Sequence, residues 1–218
     1  LEGCGVWHIP KILTDNLPSD RLAQANTEID LATLRDKRVI VIGANAGGFD
    51  AAAAVLEAGA RSADLLVRRD EIPKVNAHKP IDSVAWLKHF EDLDDASRWR
   101  LMVHVMRNNQ PPPQDTFDRA NNLPGFRMRE GAGLATASMD GEDILIETTV
   151  GDVLRADFVI AATGFKNDFS LRIETSAIAD EIALWRDRYT PPAGEDWAPM
   201  GTYPYLDRSF AFTEKTPD

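Results

Sequence analysis

The apolar positions of this 218-residue chain first form a strand, helix, strand pattern. An uninterrupted apolar run at residues 38–43 predicts a strand that is buried on both faces, as in parallel sheets. Residues 47–58 repeat apolar side chains at helical spacing, and Gly59 follows where a C-terminal cap belongs. Residues 63–68 return to a short apolar run. This order predicts a parallel βαβ unit, and therefore an α/β fold of the nucleotide-binding type.

The spacing of apolar residues changes twice further along the chain. Residues 81–109 carry helical stripes, and the three prolines that follow predict that the second of two helices ends there. Residues 133–156 alternate with a period of two around the turn Asp140-Gly141, which predicts a three-stranded antiparallel meander. Residues 158–162 then form another apolar, parallel-type strand. Two segments show neither period and are expected to be irregular: residues 1–34 and 186–205.

Composition narrows the class of protein. Asp and Glu number 35 against 24 Lys and Arg, for a net charge of −11, which argues against binding to nucleic acid or to anionic membranes. The single cysteine, Cys4, excludes an internal disulfide and a cysteine-rich zinc site. No apolar run approaches the roughly 18 residues of a membrane span. We therefore expect a cytoplasmic protein with no nucleic-acid or membrane partner.

The turn after the first strand contains the candidate residues for binding a diphosphate. A diphosphate needs backbone N–H donors at close range and the positive end of a helix dipole, and glycines permit both the turn and the close approach. Asn45 stands where such turns usually place a middle glycine; Asn tolerates positive φ, so the turn can survive. The alternative is a βα turn without a ligand. The residues expected to cradle the diphosphate are Gly43, Asn45, Ala46, Gly47 and Gly48.

Two arginines at the end of the second strand indicate which nucleotide binds. NAD-binding proteins usually carry an acidic residue in this region, whereas an arginine there pairs with the 2′-phosphate of NADP. Arg68 and Arg69 follow the strand, so the sequence favours NADPH, with Arg68 as the first reader of the phosphate. The alternative is a pair of solvated arginines neutralised by Asp70 and Glu71.

No catalytic side chain is predicted. The histidines lack the spacing of metal ligands, and no nucleophile elbow or triad is present. Four acidic residues between the two predicted helices are better explained by helix capping and solvation than by acid–base chemistry. These four are Glu91, Asp92, Asp94 and Asp95.

Three segments combine into a more specific pattern: the glycine turn at residues 41–50, Val-Arg-Arg at 67–69 and Ala-Ala-Thr-Gly-Phe at 161–165. Together they resemble flavin-containing monooxygenases and related NAD(P)/FAD-dependent oxidoreductases. Residues 184–192 and 203–206 are similar to the tail of one bacterial branch of that group. The resemblance extends from about Leu34 to the end of the chain.

The resemblance implies a domain order. In such proteins an FAD domain comes first, an NADPH domain is inserted, and the chain then returns to the FAD domain. Residues 1–34 would be the crossing segment from an FAD domain, 35–164 the NADPH-binding domain with its helical insertion and meander, and 165–218 the return segment. Thr163 and Gly164 would lie at the crossing between the two nucleotide sites.

Residues 4–10 resemble the outward crossing, but two family features are absent. The sequence contains no N-terminal FAD fingerprint, and residues 22–28 replace the family's histidine-containing signature. We therefore interpret the chain as a fragment of a longer protein. The fragment alone is not expected to hold FAD or to turn over.

The expected function is the NADPH-binding part of a flavin-dependent oxidoreductase, most closely a monooxygenase. The resemblance implies that NADPH reduces FAD and that the reduced flavin activates O2 for attack on a small-molecule substrate. Two alternatives stay open: a non-catalytic or degenerate nucleotide-binding module, and a stand-alone NADP-dependent dehydrogenase.

Overall fold

The computed structural model of the protein describes residues 6–216. Part of the predicted outward crossing, Cys4 and Gly5, lies outside the described residues. The described chain divides into two compact units, and each is treated by itself. Residues 7–74 and 111–164 form the sheet unit, and residues 75–110 and 165–216 belong to the helical unit.

The strands of residues 6–216 are interrupted at length between residues 66 and 126, where most of the helices lie. They are, in chain order, β1 (Val6–Trp7), β2 (Leu22–Gln24), β3 (Arg38–Ile42), β4 (Ser62–Leu66), β5 (Phe126–Arg129), β6 (Leu134–Asp140), β7 (Asp143–Thr148), β8 (Val153–Ala156), β9 (Phe158–Ala161) and β10 (Phe165–Lys166).

Within residues 6–216, six α-helices accompany the strands, with short 3₁₀ turns between them. The α-helices are α1 (Lys11–Thr14), α2 (Ala46–Glu57), α3 (Val84–His89), α4 (Asp95–Asn108), α5 (Gln114–Asn121) and α6 (Trp185–Arg188). The 3₁₀ turns are Ser19–Arg21, Leu31–Leu34, Lys79–Asp82, Phe90–Asp92, Phe169–Leu171, Ser176–Ile178 and Met200–Thr202.

A five-stranded parallel sheet organises the sheet unit, in the order β2-β9-β3-β4-β5. Ile42, the last residue of β3, pairs with Leu66 of β4 on one side and with Ala161 of β9 on the other. The three central strands therefore end at the same level. Their carboxyl ends share one edge, which is where ligands bind in open α/β sheets.

Strand β3 is buried on both faces, as its uninterrupted apolar sequence predicts. Val39 and Val41 belong to a core cluster with α2, whereas Ile40 and Ile42 belong to a second cluster with the meander. All four side chains are 6% exposed or less. Covering on both faces explains why β3 shows no apolar–polar alternation.

The meander and the first βαβ unit confirm the predicted fold elements. Strands β6, β7 and β8 form an antiparallel sheet whose hairpin turn contains Gly141 at φ +59°. Helix α2 begins one residue before its predicted start, and Gly59 follows it with φ +99°. Strand β4 ends at Leu66, so Arg68 lies two residues beyond the strand.

The helical unit has a separate aromatic core. Trp99 and Val103 of α4 are buried against Trp185 and Met200. Arg98, only 5% exposed, donates to Glu91, Asp95 and Tyr205, so part of the acidic cluster neutralises a buried cation. Asp94 caps α4 by accepting from the Ser97 N–H group, as expected for a capping residue.

Two expectations about irregular segments are wrong, and some elements were missed. Residues 1–34 are not uniformly irregular, since β2 pairs in parallel with β9 and α1 precedes it. Residues 186–205 include most of α6 and the turn Met200–Thr202. Strand β5 and helix α5 were not predicted at all. Elements of two to four residues are too short to establish a period. Helix α5 is longer, but most of its residues are polar and only Phe117 and Ala120 pack against the core.

Candidate functional site

Gly43 ends β3 in a conformation that requires glycine. Its φ is +112°, and a Cβ atom there would lie 2.4 Å from the carbonyl oxygen of Ala162, just after β9. The chain therefore leaves β3 in close contact with the neighbouring strand end. The tight turn after β3 therefore needs glycine at this position.

Asn45 does not adopt a positive φ, because its φ is −85°. It is the N-cap of α2: its Oδ1 atom accepts from the Gly48 N–H group at 2.9 Å. Its Nδ2 group donates to the Ala162 carbonyl oxygen at 3.1 Å. The side chain thus ties the end of β9 to the start of α2, and it uses one N–H donor of the first turn.

The two following glycines differ in what they permit. A Cβ atom on Gly48 would lie 1.9 Å from the Gly43 carbonyl oxygen, so this position has no room for a side chain. A Cβ atom on Gly47 would meet nothing closer than Asn45 Oδ1, at 3.6 Å. The close packing of α2 on the turn therefore requires Gly43 and Gly48 but not Gly47.

The first turn of α2 keeps unused backbone donors. The N–H groups of Ala46 and Gly47 have no acceptor among residues 6–216. The first turn contains no acidic side chain, and the helix extends over 12 residues with its positive dipole end at this turn. These groups can bind an anion, and the absence of a Cβ atom on Gly47 leaves open space beside them.

Arg68 and Arg69 are both exposed beyond the end of β4. Arg68 makes no hydrogen bond or ion pair with any residue in the described part of the chain. Its stem packs near Gly133, where a Cβ atom would lie 3.3 Å from Arg68 Cγ. Glu71 pairs with Lys74 at 2.6 Å, so it does not neutralise Arg68 as the alternative interpretation supposed. The Arg68 guanidinium is available to a ligand.

Two further arginines at this end of the sheet were not predicted. Arg127 and Arg129 on β5 both donate to the carboxylate of Asp64, at 2.9 Å and 2.7 Å for the shortest contacts. Burial acts to raise the pKa of Asp64, but the hydrogen bonds from the two arginines outweigh it and lower that pKa. The alternation Phe-Arg-Met-Arg is the sequence signal that could have revealed both β5 and this ion pair.

Thr163 and Gly164 lie directly after β9, beside residues 7–8. The Thr163 hydroxyl donates to the carbonyl oxygen of His8, and the His8 N–H group donates to the Gly164 carbonyl oxygen at 2.9 Å. Gly164 has φ +76°. The structure therefore brings the two predicted crossing segments side by side.

Other candidate chemistry is not supported within residues 6–216. No group of three or more His, Cys, Asp or Glu side chains in this range could hold a metal ion. None of its helices has the length and apolar character needed to span a membrane. Asp50 forms an ion pair with Arg119 at 3.3 Å, and Asp168 caps the turn Phe169–Leu171. Both acidic residues therefore have structural contacts.

The described residues have the α/β fold found in flavin-dependent oxidoreductases, as the resemblance predicted. The chain is 35% identical over all 218 residues to the FAD-dependent urate hydroxylase of Xanthomonas campestris pv. campestris, and it spans 46% of that protein. No family model matches the sequence.

Two solved structures have a similar fold. The reduced form of ornithine hydroxylase from Pseudomonas aeruginosa superposes with a TM-score of 0.64 at 13% identity, over 96% of this chain and 50% of that one. L-lysine 6-monooxygenase from Pseudomonas syringae gives 0.63 at 14% identity, over 98% and 52%. The chain thus spans about half the length of these proteins and of the curated relative.

Proposed function

We propose that the chain is the NADPH-binding part of a flavin-dependent oxidoreductase of the monooxygenase type. The observation that carries this proposal is the turn after β3. Gly43 and Gly48 leave no room for a side chain, and the N–H groups of Ala46 and Gly47 have no acceptor within residues 6–216. A dinucleotide diphosphate supplies the anionic oxygens that these donors lack.

The second part of the site is Arg68, and Arg69 is the second candidate for the same role. A guanidinium without a partner, next to the carboxyl edge of the sheet, suits the 2′-phosphate that distinguishes NADPH from NADH. Asn45 holds the turn in shape, and Thr163 and Gly164 hold the crossing that links this site to a flavin domain. In this proposal the chain's own residues bind and orient the nucleotide and none acts as an acid or base.

We further propose that FAD is held by a longer protein of which this chain is a part. The division into a crossing segment at residues 1–34, an NADPH domain at 35–164 and a return segment at 165–218 belongs to the same proposal. When bound, NADPH supplies hydride for flavin reduction, and reduced flavin supplies the reaction with O2. The name of the Xanthomonas relative makes urate the first substrate to test on that longer protein.

The experiment is a calorimetric titration of the protein with NADPH and, separately, with NADH, on the parent and on two variants. Arg68→Ala removes the proposed phosphate contact. Arg61→Ala is the matched control, since it removes an exposed arginine just before the amino end of the same strand, β4.

We expect NADPH to bind more tightly than NADH and Arg68→Ala to reduce only the NADPH affinity. A charged hydrogen bond is worth about 1.5–3 kcal/mol, so the loss should be roughly 10- to 100-fold. Arg61→Ala should bind both nucleotides like the parent. An Arg68→Ala protein that still prefers NADPH would exclude this residue as the phosphate reader. If neither nucleotide binds, the degenerate-module alternative gains support.

A flavoenzyme and a non-catalytic module both bind NADPH, so a second measurement separates them. The longer protein, supplied with FAD, should oxidise NADPH in a reaction that consumes O2. Nucleotide binding without any NADPH oxidation would favour the non-catalytic module.

A further inference from the structure

The backbone on both sides of Arg68 is held by the segment that follows β5. The Val67 N–H group donates to the Arg129 carbonyl oxygen at 3.0 Å, and the Gly131 N–H group donates to the Arg69 carbonyl oxygen at 2.7 Å. These two bonds continue the parallel pairing of β4 with β5 beyond the ends of both strands. Arg68 lies between them, so its α-carbon is fixed relative to the sheet.

The stem of Arg68 lies against a glycine between β5 and β6. A Cβ atom built on Gly133 would lie 3.3 Å from Arg68 Cγ and 3.2 Å from Thr149 Cγ2, which is tighter than nine in ten real Cβ contacts. The φ of Gly133 lies outside the left-handed region, so its backbone conformation does not require glycine. The missing side chain instead permits the close approach of Arg68 and Thr149.

Thr149 holds Gly133 from the other side. Its Oγ1 atom accepts from the Gly133 N–H group at 3.0 Å, and its own N–H group donates to the Gly133 carbonyl oxygen at 2.8 Å. The Thr149 hydroxyl also donates to the Gly131 carbonyl oxygen at 3.4 Å. Because Gly131 is bonded to Arg69 as well, one short segment holds both the backbone and the stem of Arg68.

We propose that Gly133 and Thr149 are positioning residues that strengthen the preference for NADPH over NADH by holding the stem of Arg68. The inference rests on the proposed function, in which Arg68 binds the 2′-phosphate. A free arginine has many rotamers, and one whose stem is already held loses less conformational entropy when its guanidinium binds a phosphate. The contacts restrict the stem without occupying the guanidinium, which has no partner within residues 6–216.

The size of the effect follows from the cost of ordering one side chain. Immobilising a long side chain at a binding site weakens binding roughly 2- to 10-fold. This cost falls on the NADPH complex alone, because NADH has no 2′-phosphate for Arg68 to bind. Releasing the stem should therefore lower the ratio of NADPH to NADH affinity and leave the NADH affinity unchanged.

The experiment measures this ratio by calorimetric titration of the parent and of variants with each nucleotide. Gly133→Ala and Gly133→Val place side chains of increasing size against Arg68. Thr149→Val removes the hydroxyl but keeps the shape of the side chain, and Thr149→Ser keeps the hydroxyl. Gly201→Ala is the matched control, because a Cβ atom there would also lie 3.3 Å from an arginine, Arg186, but in the helical unit.

The same changes are made in a protein that lacks the arginine. Gly133→Val and Thr149→Val are each combined with Arg68→Ala. If the two residues act through the stem of Arg68, neither change lowers the ratio further in this background, since no stem is left to hold. A residue that acts on the nucleotide directly, or on the fold, would have the same effect in both backgrounds.

We expect Gly133→Val and Thr149→Val to lower the ratio roughly 2- to 10-fold, and Gly133→Ala to lower it less than Gly133→Val does. Thr149→Ser and Gly201→Ala should keep the parental ratio. Thermal unfolding identifies the variants that are folded, and if Gly133→Val is not, Thr149→Val carries the test, since Thr149 is exposed.

The inference is overturned if the folded variants of Gly133 and Thr149 keep the parental ratio, or if they lower it equally without Arg68. Its failure is distinct from failure of the proposed function. A ratio that Arg68→Ala reduces but these variants do not would refute the positioning role alone. A ratio that Arg68→Ala leaves unchanged would refute Arg68 as the phosphate reader, and the positioning role with it.

Discussion

The two adjacent glycines of α2 offer a sharp test of the geometry of the turn. Gly48→Ala would place a Cβ atom 1.9 Å from the Gly43 carbonyl oxygen, whereas real Cβ contacts are almost never under 3.0 Å. The backbone must therefore separate by about 1.1 Å at the point where α2 packs on the turn. Gly47→Ala meets nothing nearer than 3.6 Å, so it adds one methyl group to a helix without strain.

The magnitudes follow from these distances. Overpacking of this kind costs typically 1–3 kcal/mol, and the atom struck here is backbone rather than a flexible side chain, so we expect Gly48→Ala to lose about 3 kcal/mol of unfolding free energy. Gly47→Ala should be neutral or up to about 1 kcal/mol more stable, because alanine is the better helix former. Both values are measured by urea unfolding, with NADPH titration on the folded fraction.

The comparison between the variants controls for the general effect of a methyl group in the first turn of α2. Equal stability of the two variants would refute the reasoning, since it would mean that the Gly43–Gly48 approach does not constrain the turn. On the proposed function, Gly48→Ala should also weaken NADPH binding, because moving α2 displaces the N–H groups of Ala46 and Gly47.

Two further predictions concern charges in the sheet unit. Asn45→Asp keeps an oxygen acceptor for the Gly48 N–H group but replaces the Nδ2 donor to the Ala162 carbonyl oxygen with a second acceptor, so the unfolding free energy should fall by about 1–2 kcal/mol. NADPH affinity should also fall about tenfold or more through repulsion of the diphosphate, and unchanged affinity would place the diphosphate elsewhere. Arg38 donates hydrogen bonds to Asp157 and, against the effect of burial, holds the pKa of that carboxyl at about 2, below its usual 3.8. Because this pKa is lower in the folded state, the stabilisation is present above pH 3.8 and is lost as the pH falls towards 2. Asp157→Asn should lower the unfolding free energy at pH 7 by about 1–2 kcal/mol and make it less dependent on pH in the acid range. An unchanged dependence in the acid range would contradict the role given to Asp157.

The sequence predicted the elements with a clear apolar pattern over at least five or six residues, and it missed the eight-residue helix α5, most of whose residues are polar. Strand β3 and helix α2 fall within one residue of their predicted bounds because each has one buried pattern and a glycine at its end. Strand β5 was missed because two of its four residues are arginines, which contradict an apolar run. Their partner Asp64 lies 63 residues away or more along the chain, and no local pattern records such a pairing.

The misinterpretation of Asn45 has a different cause. A comparison with the glycine pattern treats the residue as a lost glycine, although an asparagine directly before a helix is among the best N-cap residues. The preference for asparagine at the N-cap position would have predicted the observed role. The φ of −85° shows that Asn45 acts as an N-cap and does not replace a glycine with positive φ. Arg68 illustrates the opposite case: its position after β4 was predictable, but its lack of a partner required the structure, because nearby acidic residues could equally have neutralised it.

The capping role of Asn45 has a consequence for nucleotide selection within the proposed function. The side chain occupies the Gly48 N–H group and commits its own Nδ2 group to the Ala162 carbonyl oxygen. The first turn of α2 then offers a diphosphate only the N–H groups of Ala46 and Gly47, because the Gly48 N–H group donates to both the side chain and the carbonyl oxygen of Asn45. With fewer donors at the diphosphate, which NADH and NADPH share, a larger part of the affinity depends on the 2′-phosphate and Arg68. The preference for NADPH over NADH should therefore be steep, and it should be lost almost entirely when Arg68 is removed.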